Sequence, residues 1–501
     1  MTPAAPPRPD APPGSAAPAR PIRRASIANL GCKVNQSEME SAARLLRERG
    51  VELVGPGAAA DLVLVNTCTV TAVADQKSRQ AVRRARRSNP ESEIVVTGCS
   101  VQVGRDAFEA ADPAARLVDN RAKDGLLAEL EALVEVGGAR ETAGPEDGRV
   151  ARALPTLSGV EIAGIDDGRG AIAVERTRAF VKVQDGCSFF CTYCIIPAAR
   201  GPERSLSPET VLRDVRRAVR AGHREIVLTG INIGTYDGGS SERGYRGSHA
   251  SSALTLAGLV RRILAETDVE RIRLSSIEPQ HVDDELLAAW VDGAPRTLPH
   301  VHLPLQSGDD GVLRRMGRRY RSAEYATVVA RVRDAIPNVA VHADAIVGFP
   351  TEDEAVWRRS LDFIRSIGFA GIHVFRYSPR PATPAVRTTG QVDEPTKKGR
   401  AAELLAVAAD ARARWAAARL GAVSEVLFEE RSGDGTGRWV GHAADHTLVA
   451  AAPPAGTPSL ANVIGRVVGE AIDPTSRDRV LGRIIALAPP RPAATTGDAD
   501  A

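Results

Sequence analysis

The chain has 501 residues, enough for two to four ordinary domains. Apolar residues make up 43% and charged residues 25%, a globular mixture that permits a sizeable core. The net charge of +3 neither requires nor excludes a nucleic-acid partner, whereas six cysteines in this length do exclude a disulfide framework. No run of uncharged residues approaches membrane length, so the composition reads as a soluble, cytoplasmic chain without a membrane partner, its thiols free for metal.

Residues 1–23 are Pro/Ala-rich, lack a signal-peptide pattern and are expected to be a disordered tail. Over 24–136, three largely apolar runs each stop at a cysteine: ASIANLGC at Cys32, DLVLVNTC at Cys68 and SEIVVTGC at Cys99. The cysteines lie 36 and 31 residues apart, about one βαβ unit each. Between the first two, Ser37 and Glu40 form a capping-box pattern and Gly50 marks a helix stop. A second helix is expected after Cys68, to about Pro90. This alternation predicts a parallel sheet whose strand ends share one edge. Cys32, Cys68 and Cys99 become neighbours at the carboxyl edge, where open α/β sheets place ligands. The second helix carries Lys77, Arg79, Arg83, Arg84, Arg86 and Arg87 with no acid among them, which favours phosphate contact over a solvated face.

Residues 137–170 are rich in glycine and charge and read as a linker. From 171 to 420, six strand-like runs alternate with helical ones, the pattern of a partial (β/α) barrel. Residues 238–252 form a Gly/Ser-rich insertion, and 395–420 a basic, Ala-rich helix. LRRMGRRY at 313–320 is a second basic stretch. His300 and His302 alternate along a strand and are expected to pack or hydrogen-bond rather than bind metal. Short strands over 421–487 predict a small β-barrel, and 488–501 a second disordered tail.

Cys187, Cys191 and Cys194 crowd into one loop with C-x3-C-x2-C spacing. A structural zinc site needs four ligands. A cubane iron–sulfur cluster on three thiolates leaves one iron open to a substrate or cofactor. Three inert, packed cysteines in a polar loop is the weaker reading.

That spacing, with Tyr193 before the third cysteine at the end of a barrel's first strand, resembles the radical S-adenosylmethionine (SAM) superfamily. LGCKVNQSEMES, VNTCTVT, VTGC, TRAFVKVQDGCSFFCTYCIIPAARG, SSIEP, LPLQSGDDGVLRRMGRRY and DAIVGFPTE together resemble the methylthiotransferase family over residues 24–487. The C-terminal segment resembles the RNA-binding TRAM domain. The fold class expected is α/β: an N-terminal parallel α/β domain, a central radical SAM (β/α) partial barrel and a small TRAM-like β-barrel.

The resemblance implies two [4Fe-4S] clusters. The first, on Cys187, Cys191 and Cys194, binds SAM; the second, on Cys32, Cys68 and Cys99, handles the sulfur. It also implies SAM as both methyl donor and radical source, tRNA as substrate, an external electron donor and sulfur source, and a monomer. Polar groups at the barrel strand ends should line the SAM pocket, among them Ser275, Ser276 and Asp344; the residues favoured are Tyr193, Asn232, Glu278 and Gln306. Arg200 and Arg204 are candidates for the SAM carboxylate or a substrate phosphate. Lys77, Arg79, Arg83 and Arg86 are the tRNA candidates. Aromatic residues are only 4% of the chain, so one flipped base in a pocket is expected rather than a stacking platform.

Lys33-Val34-Asn35 most resembles the branch acting at C2 of N6-threonylcarbamoyladenosine at tRNA position 37. The alternatives are isopentenyladenosine in tRNA, a ribosomal protein, or, in another class, a non-catalytic iron–sulfur RNA-binding protein. No catalytic residue beyond the cluster ligands is assigned.

Overall fold

The computed structural model describes residues 21–55, 57–120, 125–136, 161–162, 172–173, 177–239 and 254–489. Residues 1–20 and 490–501, nearly all of the expected linker and most of the 238–252 insertion lie outside the described residues; 21–23, expected in the first tail, instead join the fold, with Ile22 buried and Arg23 N donating to Asp61 Oδ2 at 2.9 Å. Within the linker, Glu161–Ile162 pairs antiparallel with Ile172–Ala173 just beyond it.

Five parallel strands build the N-terminal sheet, in the order Glu52–Val54, Arg24–Asn29, Leu62–Thr67, Glu93–Gly98, Arg116–Val118. The central strand is buried along its whole length because helices cover both faces. Leu62 and Leu64 face Met39, Leu46 and Leu130, while Val63 and Val65 face Val82 and Phe108. The first helix corrects the sequence expectation: it spans Lys33–Glu48 with Cys32 as N-cap, and Ser37 lies buried inside it. The end of the preceding strand sets the helix start, overriding the local capping pattern. Gly50 does lie just past the helix, at φ 80°.

Six parallel strands form the barrel wall in chain order: Arg178–Lys182, Glu225–Thr229, Arg271–Leu274, His300–His302, Ala340–Val347 and Gly371–Arg376. A bridge between Ser276 and His302 joins the two three-stranded halves, reinforced by Ile277 N donating to the His302 carbonyl at 3.0 Å. Helices pack outside through Val211, Leu259, Val329, Trp357 and Leu404, among others. A 24-residue helix, Glu394–Ala417, leads to the last unit, with Asp393 accepting from Thr396 N.

That unit is a closed five-stranded barrel of Val423–Arg431, Trp439–Ala443, Leu448–Ala451, Ile464–Ile472 and Arg479–Leu487. It covers the amino-terminal end of the larger barrel. Arg273 donates to the carbonyls of Ala444 at 3.2 Å and Ala443 at 3.5 Å, and Arg178 pairs with Glu429 at 3.3 Å. Among the described residues, no helix is long and apolar enough to cross a membrane.

Candidate active site

Cys68 and Cys99 directly follow strands of the N-terminal sheet and Cys32 follows one after Leu30 and Gly31, and the parallel topology puts all three at its carboxyl edge. The edge is held by side-chain amides. Asn35 donates to Asn66 Oδ1 at 3.2 Å and to the Thr67 carbonyl at 3.1 Å, and Asn66 donates back to the Asn35 carbonyl at 3.1 Å. Cys68 N donates to Ser78 Oγ at 3.2 Å. Gly98 sits at φ 109°, where a Cβ would come within 2.4 Å of the Thr67 carbonyl oxygen, so the Cys99 turn needs glycine. Burial, joined by the Cys99 thiol, pushes the Cys68 thiol up to about 12. Cys32 and Lys33 are exposed at this edge, and the protein packed around Cys32 raises its thiol pKa.

The second thiol set sits at the carboxyl end of the first barrel strand. Its loop is pinned by Cys187 N donating to the Gly201 carbonyl at 3.1 Å and Thr192 N to the Met316 carbonyl at 2.9 Å. Gly186, at φ 72°, permits a close approach to the Pro202 carbonyl. Burial raises the Cys187 and Cys194 thiols to about 12, so iron must displace protons on binding. Arg318 lies buried beside this set, donating to Cys191 Sγ at 3.5 Å, to Tyr320 Oη at 3.1 Å and to Glu278.

One residue ties the two sets together. Arg200 ends the short helix Ile196–Arg200 that follows Cys194, and its side chain is 1% exposed. It donates to Cys99 Sγ at 3.2 Å, to Glu38 at 3.1 Å, to Asp185 at 2.8 Å and to Asn35 Oδ1. Burial opposes its charge, but Glu38, Cys99 and Asp185 outweigh that and hold the guanidinium well above its ordinary pKa. Asn120 adds a hydrogen bond to the Ala199 carbonyl at 2.9 Å, and Arg380 binds Thr69 and Asp75 from the other side.

The remaining expected residues divide. Tyr193 is packed against Val312, Met316 and Phe349 beside the loop thiols. Asn232 is 3% exposed, and neither its side-chain oxygen nor its nitrogen has a partner; Ser275 Oγ, on the next strand, is likewise unpartnered. Gln184 holds this corner, accepting from Asn232 N at 2.8 Å and donating to the Gly186 carbonyl at 2.8 Å. Gln306 stands at φ 69° after the fourth strand, where its backbone bonds Asp344 and Ile346. Arg200 faces the sheet thiols and not a cofactor carboxylate or a phosphate. Arg204 pairs with Asp185 at 3.8 Å. On the Ala72–Ser88 helix, Arg83, Arg84 and Arg87 are exposed and Lys77 and Arg79 half-buried. Arg86 is engaged inside the domain with Asp112 at 2.9 Å and two backbone carbonyls. Arg318, from the second basic stretch, is at the thiols and not on a phosphate-facing surface.

Sequence reasoning missed Arg318, Gln184 and the structural use of Arg200. All three stood inside quoted motifs, Gln184 and Arg200 in TRAFVKVQDGCSFFCTYCIIPAARG and Arg318 in LPLQSGDDGVLRRMGRRY, but nothing in those motifs signalled these contacts.

Each thiol set suits a three-thiolate cluster: the thiols of a set lie near enough to raise one another's pKa, and all six cysteines are consumed without providing a fourth. The orphaned amide of Asn232 and hydroxyl of Ser275 fit a polar cofactor at the barrel mouth.

Comparison with known proteins agrees. Residues 24–119 match the model of the uncharacterized protein family UPF0004, and residues 181–364 that of the radical SAM superfamily. The chain is 37% identical over 402 residues to the threonylcarbamoyladenosine tRNA methylthiotransferase MtaB of Bacillus subtilis, covering 80% of this chain and 84% of the relative. The protein of the same name from Thermotoga maritima is 35% identical, over 81% and 87%. The tRNA-2-methylthio-N(6)-dimethylallyladenosine synthase of Erythrobacter litoralis is 32% identical, over 83% and 88%. With its two three-thiol sites and this extent of identity, the chain belongs to the radical SAM methylthiotransferase family of enzymes, which use two [4Fe-4S] clusters and SAM.

Proposed function

We propose that this enzyme transfers a methylthio group to C2 of N6-threonylcarbamoyladenosine at position 37 of tRNA. The observation that carries the reading is the pair of three-thiol sets tied by Arg200. When bound, the clusters and SAM supply the radical and the sulfur and methyl chemistry. The chain's own residues bind and orient. Cys187, Cys191 and Cys194 hold the first cluster, and Cys32, Cys68 and Cys99 the second. Asn232 and Ser275 offer their unpartnered groups to SAM, beside Tyr193, Glu278 and Gln306.

Lys33 supports the choice of base. It lies next to Cys32, and burial, together with Arg178 and Arg273 nearby, lowers its ammonium pKa to about 8. A cation placed there gains from an anionic partner. A threonylcarbamoyl group brings a carboxylate; an isopentenyl group brings none. The exposed cations Arg83, Arg84 and Arg87, with Lys77 and Arg79, are suited to tRNA phosphates, while Arg86 holds the helix in place. The enzyme acts in the cytoplasm as a single chain, with electrons and sulfur delivered by other proteins.

The test is nucleoside mass spectrometry of tRNA from cells lacking the gene, with and without the wild-type copy. Return of the 2-methylthio form of threonylcarbamoyladenosine supports the reading. Return of methylthio-isopentenyladenosine instead moves the enzyme to the other tRNA branch.

A further inference from the structure

Six of the nine histidines gather along the barrel interior and its floor. They form two groups. In the upper one, His302 Nε2 lies 2.9 Å from Asp344 Oδ1, His373 Nδ1 3.1 Å from the same oxygen, and His302 Nδ1 2.6 Å from Ser276 Oγ. In that group both nitrogens of His302 and the Nδ1 of His373 are already hydrogen-bonded, and His373 is exposed.

The lower group is different. His300 and His342 stand on adjacent barrel strands, and His446 comes up from the turn between two strands of the C-terminal barrel. One nitrogen from each lies within 4.8 Å of the others. The rings are 4.8, 4.8 and 5.5 Å apart by centroid. His300 is 5% exposed, and its Nδ1 is buried without a hydrogen-bond partner. An orphaned ring nitrogen turned towards two other imidazoles is costly unless something accepts its lone pair or proton. The space around His342 is also built: Gly371, directly across from it, would put a Cβ 2.9 Å from His342 Cε1 and 3.0 Å from Nδ1. Next to His446, His442 has its Nδ1 2.9 Å from Glu429 Oε1, the carboxylate-to-imidazole arrangement that orients a ligand and leaves Nε2 free. The opposing charges around the group are Arg273, Lys33 and Arg178; Arg273 is paired with Glu225 at 2.8 Å and Arg178 with Glu429 at 3.3 Å.

We propose that His300, His342 and His446 hold a zinc ion. The ion fastens the C-terminal barrel to the floor of the radical SAM barrel. Three imidazoles suit zinc; its Zn–N distance of about 2.0–2.1 Å requires ring nitrogens that now lie within 4.8 Å of one another to draw in to roughly 3.4 Å.

The test uses the full-length enzyme with both iron–sulfur clusters reconstituted, so that the cysteines are occupied. One equivalent of zinc is added anaerobically, the protein is desalted, and zinc, iron and the zinc K-edge spectrum are measured. We expect one zinc per chain in a nitrogen-only shell with imidazole scattering. His446→Gly, which glycine tolerates at φ 70°, and Gly371→Ala should each lower retained zinc at least tenfold with iron content unchanged. His342→Gln serves if either variant fails to fold. Zinc below a tenth of an equivalent, sulfur in the shell, or full retention in the folded variants overturns the proposal. None of these readouts depends on which nucleoside the enzyme modifies.

Discussion

The loop set takes its three thiols from eight consecutive residues, Cys187 to Cys194; the sheet set gathers its three from residues 67 positions apart, Cys32 to Cys99. Both have one buried arginine against one sulfur: Arg318 at 3.5 Å from Cys191 and Arg200 at 3.2 Å from Cys99. The arginines come from different places. Arg318 belongs to the barrel that carries its own thiols. Arg200 is borrowed by the sheet set from the loop set's own following helix. The loop set can therefore form in a folded barrel alone, whereas the sheet set is complete only when the two domains are docked. Hydrogen bonds to cluster sulfurs tune reduction potential, so the docking contact and the electronic environment of the second cluster are the same contact.

The largest test separates the sets chemically. Replacing Cys187, Cys191 and Cys194 by alanine should abolish both 5′-deoxyadenosine formation and the methylthio product, with iron falling from about eight to about four per chain. Replacing Cys32, Cys68 and Cys99 should also abolish the product but leave reductive SAM cleavage intact. Loss of cleavage in the second variant would break the division of labour.

Next come the arginines. Arg200→Met leaves Glu38 and Asp185 without their guanidinium, and removing one partner of a buried pair costs about 3–5 kcal/mol. Arg318→Met strands only Glu278 and should cost less. Urea unfolding of both variants reads the order, and equal losses would deny Arg200 its role between domains.

A buried ion group without sulfur gives the contrast. Glu225 is held between Arg273 at 2.8 Å and Arg271 at 3.0 Å. Burial works to raise its pKa, but Arg273, Arg271 and Arg178 outweigh it and lower the carboxyl to about 2. A depressed carboxyl stabilises the fold above its unfolded pKa and loses that contribution as pH falls. The loss should run from about pH 4.5 down to about 2 and be on the order of 3 kcal/mol. Glu225→Gln should remove this acid-labile part of the unfolding curve; an unchanged curve would assign it elsewhere.

The smallest effect concerns Lys33. Lys33→Met should reduce kcat/KM on threonylcarbamoyladenosine-containing tRNA by roughly ten- to a hundredfold, the value of one charge-assisted hydrogen bond. The cluster content of the variant should match the wild type. An unchanged rate would remove Lys33 from substrate recognition.

The strand-to-cysteine runs made the sheet and its edge legible, because a period-one apolar run ending in cysteine carries both topology and chemistry. The six barrel strands were legible from their alternation with helical runs, and the closed C-terminal barrel from its succession of short strands. The helix start at Cys32 was not: Ser37 and Glu40 satisfied a local rule that the strand end overrode. Nor was Arg200 legible, since an arginine after a loop has the same sequence signature whether it meets solvent, phosphate or, as here, a buried thiol across a domain boundary. Arg86 shows the same limit within one helix, where charge count could not separate it from Arg83. The lower histidine group was invisible because its members sit at 300, 342 and 446, with no shared motif.

The floor of the radical SAM barrel is made by residues from 423 onward, through Glu429, His446 and the carbonyls of Ala443 and Ala444. The order of synthesis gives this a consequence. Every thiol has left the ribosome more than two hundred residues before the floor does. A chain interrupted in that interval carries the full set of iron ligands on a barrel open at its base, where bulk water reaches the cavity meant to shelter a radical. The order of synthesis is thus a physical checkpoint: a later-made segment seals the reaction vessel that earlier-made segments equip.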